Sequence, residues 1–454
     1  MGVIMAIALG IRLAFVIIRQ WDVQLGLGDA FWYHSQAKLV AEGKGWLDPF
    51  QWYWEHTRVE GADHPPGFVL LLAGLYKIGV QEPHWQRVVM CFLGTVSIPV
   101  IGAVGRRIGG ATVGLVAAFL AAVYPNIWIN DGMLMVETVF ILAVAASLVF
   151  TYRLIDAPSW ADVAWFSLSI TVAASVRPEA AILFPCFVAP FLLTRKGLSW
   201  PKRFGTVGVA AIIPIVAFTP WVIHNLLRYE NPVYLSTGAG QTLAVANCDL
   251  VYDGPLLGFY KTECVRPPIM RQLPDDMDRS VRDQILMGEA RTYMSDHASE
   301  VPKVVAARVG RLWHLYRPGQ SIGLDAWIEG RSGGNPGTPF GIVREALWMY
   351  YVLVVASIAG LVVLRRRRVP IFPLLVQPAL ATFAAATTIG ITRYRAGAEV
   401  SIVLAAAVAL VAAARAMGLR SRQPSDDGGS DGGSSDSAGS DEASSVDEDA
   451  VAAS

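Results

Sequence analysis

Acidic side chains and a histidine stand in two short stretches of a polar segment near the start of the chain. Asp29 lies in Gly28-Asp29-Ala30-Phe31-Trp32-Tyr33-His34, and Asp63 precedes His64 in Asp63-His64-Pro65-Pro66-Gly67. A carboxylate within hydrogen-bond reach of an attacking hydroxyl can accept its proton. Asp and His are also competent ligands for divalent cations. These residues therefore predict general-base chemistry at Asp29 and metal binding that includes Asp63 and His64.

Both stretches also have a purely structural interpretation. Asp29 precedes an amphipathic segment, Phe31 to Val40, and Asp is a favoured N-cap residue, so it could do no more than begin a helix. His64 could simply hydrogen-bond ahead of Pro65 and Pro66, whose rings end one helix and begin another.

The composition defines the class of element that must position these residues. The chain has 454 residues, 54% hydrophobic and only 16% charged, with a mean hydropathy of +0.43. Soluble proteins average about 25% charged residues, so the sequence indicates an all-α integral membrane protein. Ten apolar runs are near the ~20 residues that cross a bilayer core. They are 1–18, 88–105, 111–129, 133–151, 161–175, 179–194, 205–223, 347–364, 370–390 and 397–414.

The distribution of Lys and Arg predicts the topology. Short loops rich in these residues stay cytoplasmic, and ten spans with both termini inside put every basic cluster on that side. An eleventh span at Phe68–Val80 would reverse the side of all later clusters, so we expect 66–82 to form an interfacial helix on the outer surface. Two large extracytoplasmic loops follow, 19–87 and 224–344. The predicted location is the plasma membrane.

The C-terminal tail differs in character from the rest of the chain. Residues 423–454 contain nine acidic residues and no basic residue, are rich in Ser, Gly and Asp, and lack aromatic residues. Such a segment buries too little apolar surface to fold, so it is predicted to be a disordered cytoplasmic tail after a single membrane domain at 1–422.

The second large loop contains Cys248 and Cys264. Two cysteines in an oxidising compartment predict a disulfide. A metal site is less favoured, because no CxxC or paired-histidine spacing accompanies them. The loop also contains a polar segment at 275–293 that is predicted to be helical and an amphipathic one at 298–315.

The order of these motifs resembles a known group of enzymes. Gly28-Asp29-x-x-x-Tyr33, then Ala37-x-Leu39, Gly43-x-Gly45 and His64-Pro65-Pro66, are similar to polyprenyl-phosphate-sugar-dependent glycosyltransferases of the GT-C fold. That group includes protein O-mannosyltransferases (glycosyltransferase family 39) and lipid A aminoarabinose transferases. Arg177-Pro178-Glu179 and Thr392-Arg393-Tyr394-Arg395 also match, and Asn247-Cys248 to Gly258-Phe259-Tyr260 looks like actinobacterial members. The resemblance covers about residues 1–415.

The resemblance implies an inverting transfer of one sugar from a polyprenyl-phosphate donor to a hydroxyl of an envelope glycan, lipid or protein. Asp29 would be the general base. Glu137 is the second acidic candidate, although Asp131 competes for the match and Glu137 could simply pair with Arg177. Mg²⁺ or Mn²⁺ on Asp63 and His64 is a predicted cofactor, because some relatives use a metal there.

Three arginines are expected on the outer side, against the positive-inside trend: Arg177, Arg393 and Arg395. We expect them to bind the donor phosphate, because cations stabilise the charge that develops on a leaving phosphate. Snorkelling towards lipid headgroups is the alternative.

Several functions are disfavoured by the sequence. No P-loop, GxGxxG, HExxH or GxSxG pattern occurs in the required context, so no nucleotide cofactor is expected. No basic patch apart from the topological clusters indicates nucleic-acid binding. Membrane lipids are expected partners. The alternatives to a transferase are a transporter or flippase of a lipid-linked saccharide, and a non-catalytic scaffold for envelope assembly.

Overall fold

The structure is a computed structural model that describes residues 1–418, apart from residue 27 and the segments 157–158, 195–198, 266–272, 275 and 329–340. The described residues form helices and connecting segments, with one isolated antiparallel bridge between Leu47 and Glu60. The predicted acidic tail at 423–454 lies outside the described residues. The all-α membrane architecture predicted from the sequence is confirmed.

Eighteen α-helices occur in the described part of the chain. They are α1 (Gly2–Phe15), α2 (Asp29–Ala41), α3 (Pro66–Lys77), α4 (Pro83–Gly109), α5 (Ala111–Val123), α6 (Pro125–Trp128), α7 (Glu137–Asp156), α8 (Trp160–Val176), α9 (Leu183–Thr194), α10 (Trp200–Leu226), α11 (Ala239–Ala244), α12 (Asp249–Tyr252), α13 (Arg279–Asp296), α14 (Val301–Leu312), α15 (Pro318–Ile328), α16 (Gly341–Arg366), α17 (Phe372–Thr387) and α18 (Ala396–Ala416).

Each of the ten predicted membrane segments contains a helix, but fewer of them qualify as spans by length and composition. Six described helices are long and apolar enough to cross a bilayer, and α5 with the segment Pro125–Gly132 makes a seventh if this bent pair is one span. The predicted spans at 161–175, 179–194 and 370–390 correspond to helices shorter than 18 residues. The chain is a multi-pass membrane protein.

Helix α18 lies at the centre of the bundle, where it packs against α4, α5, α7, α16 and α17. Its sequence is rich in alanine, and small side chains allow neighbouring backbones to approach closely. A Cβ atom added to Gly360 of α16 would lie 1.8 Å from the carbonyl oxygen of Ala405 in α18. Any larger residue at 360 would therefore separate these two helices.

Two prolines break the helices at the end of the bundle where polar residues collect. The residue before a proline is sterically disfavoured in the helical conformation, and Tyr124 and Arg177 are both extended. Pro125 follows Tyr124 and produces a 66° bend. Pro178 follows Arg177 and starts the short 3-10 helix Pro178–Ile182. These breaks bring Asn126 and Arg177 to a common end of the bundle.

The two polar loops pack against each other. The first contains α2 and α3, and the described part of the second contains α11 to α15. The guanidinium of Arg279 lies 2.5 Å from the carboxylate of Asp48, and both side chains are buried. Thr237 donates its backbone N–H to Ala62 O at 2.8 Å and its hydroxyl to Asp63 Oδ1 at 2.9 Å. The second loop is thus anchored on the first.

The second loop has a helical core with a covalent link. Cys248 and Cys264 are joined with an S–S distance of 2.09 Å, the disulfide predicted for two cysteines in an oxidising compartment. Both pack beside a small apolar cluster formed by Val251, Tyr252 and Val304. The helices predicted at 275–293 and 298–315 are present as α13 and α14. In the first loop, α3 occupies the segment predicted as interfacial, and its position at the membrane surface stays a prediction.

Candidate active site

Asp29 is the first residue of α2 and is partly exposed to solvent. Its N-cap is Gly28, and no side chain caps this helix, so the capping role considered from the sequence is not seen. The Asp29 side chain is 33% exposed, and its Oδ2 lies 2.6 Å from Nη2 of Arg393. Partial burial raises the pKa of Asp29, but Arg393 and His64 outweigh it and lower the pKa to about 2. Asp29 is therefore a carboxylate held in an ion pair.

Glu137 joins two arginines beneath Asp29. Its Oε1 accepts hydrogen bonds from Arg177 Nη2 at 2.5 Å and from Arg393 Nε at 3.1 Å. The Glu137 side chain is only 1% exposed, whereas Asp29 faces solvent. Glu137 thus pairs with Arg177, as the structural alternative predicts, and also fixes Arg393. This geometry suits Glu137 to positioning the arginines.

Arg177 is buried among partners on several sides. Its Nη1 donates to Glu179 Oε1 at 3.1 Å, and its guanidinium lies 5.3 Å from the ring centres of both Phe140 and Tyr394. Its Nε is buried and donates to no acceptor in the described part of the chain. A buried N–H without a partner is costly, and a ligand oxygen at this position would remove that cost.

His64 lies against the opposite side of Asp29. Its Nε2 is 3.8 Å from Asp29 Oδ1, and its Nδ1 is 3.3 Å from the hydroxyl of Tyr33. The ring of Tyr33 also packs on His64 and on Phe68 of α3. His64 is held in this position because Pro65 is the N-cap of α3, immediately after it.

The structure does not bring Asp63 into this group. Asp63 accepts from Thr237, and no group of three His, Cys, Asp or Glu side chains close enough to hold a metal occurs among the described residues. Asp63 is engaged by the second loop, and among the described residues Asp63 and His64 do not form a three-ligand set with Asp29.

Arg395 lies apart from the other two predicted phosphate ligands. Its Nε donates to Glu399 Oε1 at 2.6 Å, its Nη1 donates to Leu312 O at 2.6 Å, and its guanidinium is 3.8 Å from the Tyr350 ring centre. The residue is 1% exposed. Arg395 is therefore held inside the bundle, and the structure does not bring it to Asp29. The sequence could not distinguish it from Arg393, two residues earlier.

Asp131 is likewise separate from the Asp29 group. Its Oδ2 lies 2.6 Å from Nε of Arg12 in α1, and its Oδ1 accepts from Thr138 at 2.7 Å. Asp131 and Glu137 are the two candidates for the acidic residue that the family resemblance implies. Of the two, Glu137 is the one that contacts Arg177 and Arg393. Asp131 serves to join α1 to the start of α7.

A recess adjoins this site on the other side of Arg393. Asn126, Asn130, Arg393 and Ala396 line it, together with the buried pair Arg395 and Glu399. The two asparagines are not among the site residues predicted from the sequence. Both follow Pro125, which breaks a helix beside the bundle core. Polar residues after such a break could have been predicted from the sequence to belong to the site.

The chain was compared with known proteins. Residues 63–224 match the family described as dolichyl-phosphate-mannose-protein mannosyltransferase. The matched segment contains His64, Glu137 and Arg177, whereas Asp29 and Arg393 lie outside it. No curated protein matches the sequence significantly.

Solved structures share the fold. The oligosaccharyltransferase of Archaeoglobus fulgidus, tethered with an acceptor peptide, aligns with a TM-score of 0.52 at 15% identity, over 92% of this chain and 50% of that chain. The same enzyme, AglB, in complex with an inhibitory peptide and a dolichol-phosphate aligns with a TM-score of 0.52 at 16% identity, over 92% and 50%.

This chain therefore spans about half the length of that enzyme. ArnT from Cupriavidus metallidurans bound to undecaprenyl phosphate aligns at 14% identity over 92% of this chain and 79% of that chain, with a TM-score of 0.42 that is too low to support an argument. The family match at residues 63–224 and the shared fold agree with the GT-C fold expected from the sequence, and the transferase activity stays a proposal.

Proposed function

We propose that this protein is a glycosyltransferase that moves one sugar from a polyprenyl-phosphate donor to a hydroxyl of a cell-envelope glycan, lipid or protein. The observation that supports the proposal most strongly is one cluster of charged side chains. In it the partly exposed carboxylate of Asp29 pairs with Arg393, and Glu137 joins Arg393 to Arg177. A base for the acceptor and cations for a phosphate then lie on one surface. A. fulgidus AglB, which shares the fold, binds a dolichol-phosphate, and this supports a lipid-phosphate donor.

In the proposed reaction the acceptor oxygen attacks the anomeric carbon while Asp29 takes its proton. The bond from that carbon to the phosphate oxygen breaks, and its electron pair leaves with the polyprenyl phosphate. Attack from the face opposite the leaving group inverts the anomeric configuration. Arg393 and Arg177 stabilise the charge that develops on the phosphate, because guanidinium groups form strong charge-assisted hydrogen bonds to phosphate oxygens.

Arg393 must change partner for this reaction to proceed. Paired with Arg393, Asp29 has a pKa of about 2 and is a weak base. A donor phosphate that takes hydrogen bonds from Arg393 would withdraw it from Asp29, and the phosphate charge would raise the pKa of Asp29 further. Donor binding would thus generate the base.

The site is proposed to face the extracytoplasmic side. Helices α7 and α18 both begin at the site, with Glu137 and Ala396, and each has an arginine in its last turn, Arg153 and Arg415. Helices of this length extend ~30 Å, about the thickness of a bilayer core. Because Lys and Arg favour the cytoplasmic side, the opposite end with Asp29 would lie outside.

A divalent cation stays a prediction. The oligosaccharyltransferase of A. fulgidus is also known in complex with zinc and sulfate. In this chain the predicted ligands Asp63 and His64 do not converge with Asp29 into a three-ligand set, so the proposed steps use side chains alone. No observation specifically favours the transporter or the scaffold, and the match to a transferase family argues against both.

The proposal is tested with purified protein in lipid nanodiscs and a panel of undecaprenyl-phosphate-linked sugars, with envelope extracts as acceptor. We expect one donor to be consumed, with release of undecaprenyl phosphate and a new glycan detected by mass spectrometry. In a deletion strain the same modification should be absent and should be restored by wild type alone, not by Asp29→Asn expressed at an equal level. Consumption of no donor, or full rescue by Asp29→Asn, would overturn the proposal.

A further inference from the structure

The segment between α17 and α18, which carries Arg393, lies against the second loop. Gly390 of this segment donates its backbone N–H to Gly258 O at 3.2 Å. A Cβ atom added to Gly390 would lie 2.7 Å from the Cα atom of Arg308 in α14, so the two backbones are in contact. Around this contact, buried apolar residues of the segment and of the loop form one cluster: Ala246, Phe259, Ile389 and Ile391. The second loop thus supports the part of the chain in which Arg393 lies.

One side-chain hydrogen bond in this contact involves the residue next to Arg393. Thr392 begins the short 3-10 helix Thr392–Arg395, and its hydroxyl donates to the carboxylate Oδ2 of Asp325 in α15. Both residues are buried. No side chain caps this short helix, so the partner of its first residue comes from the second loop, 67 positions away in sequence. A carboxylate is a strong acceptor, because its charge strengthens the hydrogen bond. Asp325 therefore fixes the start of the helix that carries Arg393.

The side chain of Arg393 contacts the first loop and the bundle. Its guanidinium pairs with Asp29 at 2.6 Å and with Glu137 at 3.1 Å. In the proposed reaction the donor phosphate draws this guanidinium away from Asp29, so that ion pair cannot hold Arg393 in place while the donor is bound. The hydrogen bond from Thr392 to Asp325 does not involve the guanidinium and is independent of this exchange. It can therefore hold the backbone of Arg393 both with and without the donor.

We propose that Asp325 is a positioning residue of the donor site. Through its hydrogen bond to Thr392 it fixes the backbone of Arg393, and it thereby determines where the guanidinium meets the donor phosphate. Charge-assisted N–H···O bonds form at about 2.7–2.9 Å, so a shift of about 1 Å is enough to weaken them. Asp325 acts through Thr392 and takes no part in the chemical step. The inference rests on the proposed function and adds to it that the second loop, through α15, contributes to binding of the donor.

Both sides of this hydrogen bond can be changed conservatively. Thr392→Val removes the hydroxyl and keeps the shape of the side chain, whereas Thr392→Ser keeps the hydroxyl. Asp325→Ala removes the acceptor, and Asp325→Asn keeps an amide oxygen that can accept. The matched control is Thr382→Val in α17. The Thr382 hydroxyl accepts from Trp313 Nε1 of the second loop at 3.0 Å, so this change also removes a hydrogen bond between bundle and loop, but outside the segment that carries Arg393. Thermal unfolding checks that each variant is folded.

Binding of unglycosylated undecaprenyl phosphate in nanodiscs reports the position of Arg393 without requiring transfer. We expect Thr392→Val and Asp325→Ala each to weaken this binding about tenfold, the effect of one impaired hydrogen bond to the phosphate, and to raise KM for the donor by a similar factor. Thr392→Ser and Asp325→Asn should bind within about threefold of wild type. The double variant Thr392→Val with Asp325→Ala should bind no more weakly than either single variant, because both changes remove the same hydrogen bond. The control Thr382→Val should bind as wild type does, even where its melting temperature is lower.

The outcomes separate this inference from the proposed function. If wild type binds undecaprenyl phosphate and Thr392→Val binds it equally well, or if Thr382→Val weakens binding as much, Asp325 has only a structural role and the inference is overturned. Additive losses in the double variant would overturn it as well. If wild type neither consumes a donor of the panel nor binds undecaprenyl phosphate, the proposed function itself fails and this inference fails with it. Should Asp325→Ala not fold, Thr392→Val compared with Thr392→Ser decides the outcome alone.

Discussion

The guanidinium of Arg393 lies 2.6 Å from the carboxylate of Asp29, and thus the proposed phosphate ligand neutralises the proposed base when no substrate is bound. The two residues are far apart in sequence and meet because the first residue of α2 lies beside the short 3-10 helix Thr392–Arg395. An ion pair with one partly exposed member can be opened by a competing anion. This relationship makes several outcomes measurable.

Replacement of Asp29 by Asn should strongly reduce the rate of transfer while the protein stays folded. A general base contributes typically 10²–10⁴-fold, so we expect kcat to fall by about that factor. Initial rates with purified protein give the measurement. Asp253→Asn, at an exposed position of the second loop, is the control and should keep wild-type rates. A loss of less than about tenfold for Asp29→Asn would remove Asp29 from the role of base.

The neighbouring arginines should differ in function. Arg393→Ala is expected to weaken binding of undecaprenyl phosphate by about 10- to 100-fold, because a charge-assisted hydrogen bond is lost. Arg395→Lys should lower the melting temperature, since it disturbs the buried pair with Glu399, but leave that affinity nearly unchanged. Equilibrium binding and thermal unfolding of both variants test this. Equal loss of affinity in the two variants would contradict the assignment.

The pH dependence of kcat/KM should reveal the ion pair. With its pKa lowered to about 2, Asp29 is ionised throughout the ordinary assay range, so wild type should show no decrease from this group as the pH falls to about 4. In Arg393→Ala, burial still raises the pKa of Asp29, but the main group that lowers this pKa has been removed. We therefore expect the pKa to rise above the ordinary value of about 3.9, and a decrease in activity on the acid side. Superimposable profiles would contradict this account.

The same pair also affects stability. Because the pKa of Asp29 is lower in the folded protein than in the unfolded chain, its contribution to stability is present above about pH 4 and is lost as the pH falls towards 2. Arg393→Ala should unfold at a pH closer to neutrality than wild type. Acid unfolding followed by circular dichroism provides the measurement, with Asp253→Asn again as the control.

Replacement of Glu137 by Gln should mainly lower the stability of the fold, and any effect on the chemical step should be indirect. Glu137 is buried and bonded to Arg177 and Arg393, and removing one partner of a buried ion pair costs about 3–5 kcal/mol. Glu179→Gln, at a 28% exposed partner of Arg177, should cost less than about 1 kcal/mol. Denaturant unfolding compares the two. A similar cost for both variants would show that burial of Glu137 is not what matters.

The sequence by itself determined the membrane class of the protein and indicated Asp29 as the candidate base. Low charge and long apolar runs require a bilayer, and a carboxylate after Gly28 in an aromatic segment marks a site on one side of it. The pair Cys248 and Cys264 and the helices of the second loop were also predictable, because each depends on residues that are close in sequence.

Only the tertiary structure decided which distant residues meet. Arg393 and Arg395 belong to one motif and lie two residues apart on a 3-10 helix, so their side chains point in different directions. Arg393 pairs with Asp29, whereas Arg395 is buried against Glu399. The choice between Asp131 and Glu137 depends on the partner that packing supplies, Arg12 for one and Arg177 for the other. Such pairings depend on how helices dock, and no local pattern encodes that, because the contacting residues are separated by up to hundreds of positions.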